Sequence, residues 1–586
     1  MLVRMVAALR NEEVSRVFRA IADILEIKGE SRFRINAYRR AAQAIDNLPD
    51  HLEDRVRENR LLTIPGIGKD LAAKITELVT TGKLAYFQTL QSEIPMSLVQ
   101  LMDIPGIGPR IAQLLYEEYQ ISGIDELERL ARAQQLRRLP GIKKKTEENI
   151  LRGIELFRGG LARRPLGRVL PVALRLVDYL REYAFLDRVS LAGSIRRNRD
   201  TVKDVDILGV SADPDRTAEA FTSLPEVAET LGSGQTRISV RLHFGLQVDL
   251  RLVKNDTFGA ALCYFTGSKE HNVRLRELAI KKGFKLNEYG LFRQDERLAG
   301  GSEHDVYQAL GLPFIPPELR ENRGEIEAAL TGDLPRLVTR EDLKGDLHVH
   351  SVFSDGHDDL EQIARQAKEL GLEWVGICDH SASLRIAGGL SVERLLQKLR
   401  AIREFNDRSP DVKLLCGAEV DIDRHGNLDY PDEVLAKLDL VVAAVHTVFK
   451  LDQSHMTSRI VRALQNPYVH ILAHPTGRLL GEREPYLVDV PVIIKEAARH
   501  AKCLEINGSA RRLDLNDVNC KAAKDSGVML SIGSDAHRVE QMQDLFLGLS
   551  VARRGWLEAR NVLNTMSYGE LTRYLKGSSM QADQPH

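Results

Sequence analysis

Leu191-Ala-Gly-Ser-Ile-Arg-Arg-Asn-Arg-Asp-Thr-Val-Lys-Asp-Val-Asp206 is the stretch on which the fold turns. It places Gly193-Ser194 nine residues ahead of Asp204-Val-Asp206. Apolar residues on either side predict strands over Val189–Gly193 and Asp204–Val210, joined by a turn. Side chains two apart on a strand share a face, so Asp204 and Asp206 present both carboxylates to one side. Beside them Gly193 permits close backbone approach, Ser194 offers a hydroxyl and Arg197 a cation. A lone Asp-x-Asp is equally well explained as a strand-end turn. The longer frame on strand–turn–strand is more specific.

Further along, Gln247-Val-Asp-Leu-Arg-Leu-Val253 predicts another strand and adds Asp249. Three convergent carboxylates suit two Mg²⁺ or Mn²⁺ ions about 3.5–4 Å apart. One ion would activate a hydroxyl; the other would hold a triphosphate and its leaving pyrophosphate. With a helix over Val172–Tyr183 and a strand over Arg237–Arg241, this region reads as α/β.

Upstream, Glu12–Leu25 and Ala37–Leu48 show helical apolar spacing. Three related turns follow: Thr63-Ile-Pro-Gly-Ile-Gly-Lys69, Asp103-Ile-Pro-Gly-Ile-Gly-Pro109 and Leu139-Pro-Gly-Ile-Lys143. Glycine lets such a turn aim backbone N–H groups outward at a helix N-terminus, where they bind a phosphate oxygen. Gly66, Gly68, Gly106 and Gly108 are therefore candidate DNA-backbone contacts. In the third turn Lys143 stands in place of the second glycine. A tight helix–helix turn needs similar glycines; their repetition favours backbone binding.

Residues 1–320 resemble the family X DNA polymerases. Gly193-Ser-Ile-Arg-Arg197, Asp204-Val-Asp206, Tyr264-Phe-Thr-Gly-Ser268 and the segment Asn272…Arg276…Asn287-Glu-Tyr289 carry the resemblance. It implies that Asp204, Asp206 and Asp249 are the catalytic metal ligands. Gly193, Ser194 and Arg197 would contact the triphosphate. Tyr264, Phe265 and Gly267 would shape the sugar pocket, with Asn272 and Arg276 near the nascent base pair. Lys269 stands where animal members often carry an acid, and is expected to add a phosphate contact. Gln247 replaces an arginine common in the family. Asn36-Ala-Tyr-Arg39 and the first turn also resemble the family's lyase domain. Lys74 aligns with its Schiff-base lysine, although Asp70 and Arg34 replace lysines of its phosphate pocket.

The second half is organised differently. Short apolar runs (Trp374–Cys378, Leu438–Ala444, Val469–Ala473, Val528–Ile532) alternate with helices, which predicts a β/α barrel. Asp346-Leu-His348-Val-His350 opens it, and the spacing puts both histidines on one strand face. Ser354-Asp355-Gly356, Asp379-His380, Glu419, His446, His474, Asp535 and His537 follow, nearly all at the C-terminal ends of apolar runs. Barrels of this type build active sites there. One buried histidine is more often core than ligand, but this many strand-end ligands point to two or three metals. Imidazole mixed with carboxylate suits Zn²⁺, Mn²⁺ or Fe²⁺.

Residues 342–575 resemble the polymerase-and-histidinol-phosphatase (PHP) domain, which accompanies the polymerase in bacterial family X enzymes. By that resemblance the ligands are His348, His350, Asp355, His380, Glu419, His446, His474, Asp535 and His537. His350 is also expected to be catalytic. The implied activities are 3′→5′ exonuclease, 3′-phosphatase and cleavage at abasic sites. Glu505 and Arg478 are further candidates for the cleft.

Composition fits this reading. Residues 1–340 carry 52 Lys+Arg against 47 Asp+Glu, and 12 of the 16 histidines follow residue 340. Scattered cysteines suit a reducing cytoplasm. Nothing approaches the roughly 20 apolar residues of a membrane span. The expected organisation is a multidomain chain: a helical lyase-like domain (1–85), a helix-hairpin-helix domain (86–160), a nucleotidyltransferase palm (161–260), a thumb (261–320), a linker (321–342), a PHP barrel (343–576) and a disordered tail (577–586). The expected partners are gapped or primed double-stranded DNA and deoxynucleoside triphosphates, with the protein acting as a monomer. Two other readings stay open at this level. One is a template-independent nucleotidyltransferase joined to a small-molecule phosphatase. The other is a non-catalytic DNA-binding scaffold.

Overall fold

The computed structural model describes residues 11–46, 52–64, 66–102, 104, 107–121, 123–158, 163–409 and 411–580. They form two compact units, Met1–Ala162 and Arg163–His586.

The first unit is helical. Asn11–Ile27 and Arg32–Asp46 bury Phe18, Ile21, Leu25, Tyr38, Ala42 and Ile45 along their apolar stripes. That core continues through Ile75 and Leu115 to Ile150 and Ile154. The segments 1–85 and 86–160, expected as two domains, thus share one core. The three glycine turns open onto the helices Lys69–Thr81, Pro109–Tyr119 and Lys144–Arg158.

The second unit begins with the helix Leu166–Tyr183, which runs through Pro171. Its apolar face (Leu166, Val169, Ala173, Leu176, Leu180) is continuous across the proline, so the helix starts earlier than the proline suggests. Five strands follow: β1 (Leu186–Leu191), β2 (Asp204–Ser211), β3 (Val227–Ser233), β4 (Arg237–Leu242) and β5 (Gln247–Leu252). They form one sheet in the order β1-β2-β5-β4-β3, with β2 and β5 parallel. The thumb consists of the helices Phe258–Thr266, Lys269–Lys281 and Glu303–Ala309 with the antiparallel strands β6 (Lys285–Asn287), β7 (Gly290–Arg293) and β8 (Glu296–Ala299).

The expected linker does contain a short helix, Glu325–Thr331, but it is not loose. Ile326, Val338 and Glu325 are buried, and so are Ile315, Leu319 and Arg320 just ahead of it. Arg320 pairs with Glu303 at 2.7 Å. These charges are paired inside the molecule, which is how they can be buried at all.

The barrel has seven parallel strands in sequential order: β9 (Gly345–Val349), β10 (Trp374–Ile377), β11 (Lys413–Asp421), β12 (Leu440–Ala444), β13 (Ile471–Leu472), β14 (Cys503–Asn507) and β15 (Leu530–Gly533). It is nearly closed, because Asp535 N donates to His348 O (2.9 Å) and His350 N to Ala536 O (2.8 Å). The buried core runs without a break from the palm into the barrel. The last helix reaches Met580, past Gly577, where the tail was expected to begin; residues 581–586 lie outside the described residues. No helix among the described residues is long and apolar enough to cross a membrane.

Candidate functional site

In the palm, parallel pairing sets Asp204 opposite Gln247 and Asp206 opposite Asp249. Strand alternation then turns all three carboxylates to one face. Burial, with Asp204 and Asp249 nearby, raises the Asp206 pKa to about 6. Like charges held this close call for cations between them. Asp249 accepts from Gln247 Nε2 (3.2 Å) and pairs with Arg237 (2.9 Å) across the sheet. Arg237 therefore supplies the cation that position 247 lacks, which sequence reasoning did not find.

Gly193 has a φ of +63°, and a Cβ there would lie 2.5 Å from Asp206 Oδ2. This close approach sets the amides of Gly193 and Ser194 beside the carboxylates. Arg197 is half-buried; its Nε donates to Glu321 at 3.0 Å and its Nη1 to the Thr266 carbonyl. Gly267, at φ +68°, follows directly; a Cβ there would come 3.2 Å from Arg197 Nη1. Tyr264 is exposed, with its ring edge-on to Phe265 at 5.1 Å, and Arg251 covers Phe265 at 4.4 Å. Asn272 Nδ2 donates to the Tyr264 carbonyl (2.7 Å), and Arg276 Nε to the Asn272 carbonyl (3.3 Å). Lys269 is exposed in the first turn of its helix, capped by the Ser268 side chain. Gly193 thus lies against Asp206 and Gly267 against Arg197, while hydrogen bonds link Arg276 through Asn272 to Tyr264.

In the helical unit, Gly66 has φ +84°, and nothing would obstruct a Cβ at Gly68 or Gly108 within 4 Å. Gly68 and Gly108 are the N-caps of their helices and make no side-chain cap, so these helix N-termini are open to an anion. Gly106 lies outside the described residues. Lys74 pairs with Asp70 at 2.5 Å and sits 5.1 Å over the Tyr86 ring, to whose hydroxyl Arg34 donates (2.8 Å).

At the C-terminal end of the barrel, all nine predicted side chains converge. Three ligand-grade groups overlap: His350, Asp355, His380 and His537; His348, His350 and Asp535; and His380, Glu419 and His446. His474 joins through Glu419 at 2.9 Å. Glu419 is central, since His348, His350, His380 and His446 lie 2.8–3.8 Å from its oxygens. His350 is buried; burial and the neighbouring His537 and His380 hold its pKa at about 4, which favours the neutral imidazole, the form able to ligate a metal. His348 Nε2, both ring nitrogens of His350 and Glu419 Oε2 are buried without a hydrogen-bond partner. Buried polar atoms are rarely left so. Divalent cations at the centre of the cluster would satisfy them, and the donor set fits.

Behind these residues stands a second layer. His348 Nδ1 bonds Glu505 (2.7 Å) and His446 Nδ1 bonds Asp421 (2.7 Å). Each contact fixes a ring so that Nε2 points inward. Asn507 Nδ2 and Arg512 Nε hold Asp535 Oδ2 at 3.1 and 3.2 Å. Sequence reasoning missed Asp421, Asn507 and Arg512. Asp421 lies two residues after Glu419 on β11 and Asn507 two after Glu505 on β14, a spacing that could have revealed both. Asp379 does not join the cluster; it is buried against Lys398 at 3.0 Å. Arg478 donates to the carbonyls of Arg512 (3.0 Å) and Leu513. It donates to Asp200 of the palm at 3.1 Å.

Four family descriptions match the chain: helix-hairpin-helix domain (residues 9–84), SAM-like helix-hairpin-helix tandem (98–155), DNA polymerase beta thumb (261–321) and PHP domain (346–508). The DNA polymerase/3′-5′ exonuclease PolX of Bacillus subtilis (strain 168) is 36% identical over 572 residues, covering 97% of this chain and all of that protein. A probable phosphatase of Thermoanaerobacter sp. (strain X514) is 32% identical over 39% of this chain and 94% of its own length. DNA polymerase lambda of Arabidopsis thaliana is 25% identical over 53% of this chain and 62% of its own length.

Proposed function

Since the chain belongs to the bacterial family X DNA polymerases that carry a C-terminal PHP domain, we propose that its two sites serve one repair task on one DNA end. It is a repair-type DNA polymerase joined to a 3′-5′ exonuclease domain. The barrel trims or cleans a 3′ terminus, and the palm then extends it across a short gap.

In the palm, Asp204, Asp206 and Asp249 would hold two Mg²⁺ or Mn²⁺ ions. The amides of Gly193 and Ser194, with Arg197 and Lys269, bind the triphosphate. Tyr264, Phe265 and Gly267 form the wall against the sugar, and Asn272 and Arg276 border the base pair. In the barrel, the nine His, Asp and Glu side chains would hold two or three Zn²⁺, Mn²⁺ or Fe²⁺ ions. When bound, such cations lower the pKa of a nucleophilic oxygen and stabilise the leaving one. Glu505 and Asp421 orient the ligating imidazoles, and Arg512 offsets the carboxylate charge. Gly66, Gly68 and Gly108, with Gly106, grip the duplex backbone without reading sequence. Lys74 is the candidate lyase nucleophile, although Asp70 occupies its nitrogen. The partners are gapped or primed DNA and deoxynucleoside triphosphates, met by a monomer in the cytoplasm.

What carries this reading is that both donor sets are complete within one chain. The test uses a 5′-labelled primer in a short gapped duplex with Mn²⁺, with and without deoxynucleotides. Asp206→Ala is expected to lose extension only, and His350→Ala degradation only. Degradation persisting in folded His350→Ala would remove the nuclease from the barrel.

A further inference from the structure

Arg554 ends the barrel helix Leu545–Arg554, yet its side chain reaches into the palm. Its Nη1 donates to the carbonyl of Arg197 (2.7 Å) and to Glu321 Oε1 (2.9 Å). Its Nη2 donates to Asp517 Oδ2 (2.5 Å), which also pairs with Arg323 (2.9 Å). The Arg554 side chain is only 3% exposed. Burying a guanidinium so deeply is costly unless its donors are matched, and here they are.

One oxygen makes the arrangement more than adhesive between domains. Glu321 Oε1 accepts from Arg554 and also from Nε of Arg197 (3.0 Å), while Glu321 Oε2 lies 3.6 Å from Arg199. Four guanidiniums, those of Arg197, Arg199, Arg323 and Arg554, thus share two carboxylates, Glu321 and Asp517. Arg197 Nη2 makes no hydrogen bond among the described residues, so one edge of its fork is free.

We infer that Arg554, braced by Asp517, is a positioning residue for nucleotide binding: it shares Glu321 with Arg197 and pins the Arg197 carbonyl, so that the Arg197 fork stays available to a triphosphate. The inference rests on the reading of Arg197 as a triphosphate contact. Without Arg554, half-buried Glu321 would turn its full charge onto Arg197 and Arg199 and compete with the incoming phosphates. The turn carrying the Gly193 and Ser194 amides would also lose the donor that fixes its end.

The experiment measures steady-state dNTP incorporation on a gapped duplex by the full-length enzyme, with nuclease activity on single-stranded DNA as a folding control. Arg554→Ala is expected to raise the dNTP KM by about ten-fold, equivalent to about 1.4 kcal/mol. Its kcat and nuclease activity should stay within about two-fold, well below that ten-fold step. Adding Glu321→Gln to Arg554→Ala removes the competing carboxylate and should bring KM back towards wild type. A purely structural contact gives no such rescue. Should Arg554→Ala misfold, Asp517→Asn removes the brace and should raise KM in the same direction. An unchanged KM in Arg554→Ala, or no rescue by Glu321→Gln, overturns the inference. Arg197→Ala separates the two levels. If it leaves KM unchanged, the reading of Arg197 falls; if it alone raises KM, only the role of Arg554 falls.

Discussion

Gly193 marks how tightly the palm site is drawn. A methyl group there would sit 2.5 Å from an Asp206 oxygen, on backbone at φ +63°. Both the left-handed backbone and the clash must be relieved, and relief moves either the amides or the carboxylate. Gly193→Ala is expected to slow extension by about 100-fold, or about 2.7 kcal/mol of barrier. Nuclease activity, centred in the barrel, should be retained; a primer-extension and degradation assay reads both. Glu303 yields a prediction about pH. Burial alone would raise its pKa, but hydrogen bonds from Arg196 and the charge of Arg320 prevail and bring it to about 2. A carboxylate depressed in the folded state stabilises above its unfolded pKa of about 4.3, and that stabilisation is lost as pH falls towards the folded value. Wild type should thus lose about 3 kcal/mol more than Glu303→Gln between pH 5 and 2. Urea unfolding at stepped pH measures the difference, and parallel curves would contradict it. At this scale the three palm aspartates and the nine barrel residues were legible, because strand alternation and strand-end position expose them. Arg237 and Arg512 were not legible, since cross-strand and loop-borne partners obey no sequence spacing.

Among elements, the strands were readable and the connections were not. Each run expected as a barrel strand became one, shifted by a few residues, because a strand inside a barrel must be apolar on both faces. β14 supplies Glu505 and Asn507 to the rear of the site, yet among the runs quoted as strands it had no counterpart. The supposed linker misled for a physical reason: charged sequence with few aromatic residues reads as solvated, and only the three-dimensional pairing of Glu325 with His271 at 2.6 Å, and of Glu321 with Arg554 at 2.9 Å, shows it to be interior. Barrel closure was equally hidden. Buried Asn564 accepts from Ile532 N (2.7 Å) and donates to the carbonyls of Ile532 and Gly345 (2.8 Å each). It thereby bridges β15 to β9 where the two strands do not pair directly. Asn564→Leu fills similar space but leaves backbone groups unsatisfied, at about 1–3 kcal/mol for each. The expected outcome is a loss of about 3 kcal/mol in stability, read by denaturant unfolding with the m-value unchanged. A loss under 1 kcal/mol would mean that Asn564 fills space rather than clasps.

For the whole molecule, the question is whether the two chemistries share a fate. Palm, thumb and barrel lie in one unit, and palm and barrel share an unbroken core. Gly167 of the palm helix packs so closely on Ala510 and Leu547 of the barrel that a Cβ would come within 2.5 and 2.8 Å. Arg478 and Asp200 add an ion pair across the same seam. A unit built this way should unfold cooperatively. Ligands that bind only the folded state stabilise it by mass action, by about 2.7 kcal/mol at a hundred times Kd. If the barrel cluster holds metals, their binding energy must therefore protect the palm as well. Enzyme stripped with a chelator and then heated should lose polymerase activity, assayed afterwards in fresh Mg²⁺, several-fold faster than metal-loaded enzyme. In His350→Ala the gap should narrow, because the cluster's metal affinity is already reduced. Equal inactivation rates for stripped and loaded wild type would separate the palm from the barrel thermodynamically, and the shared core would then be a contact surface between independently folding parts.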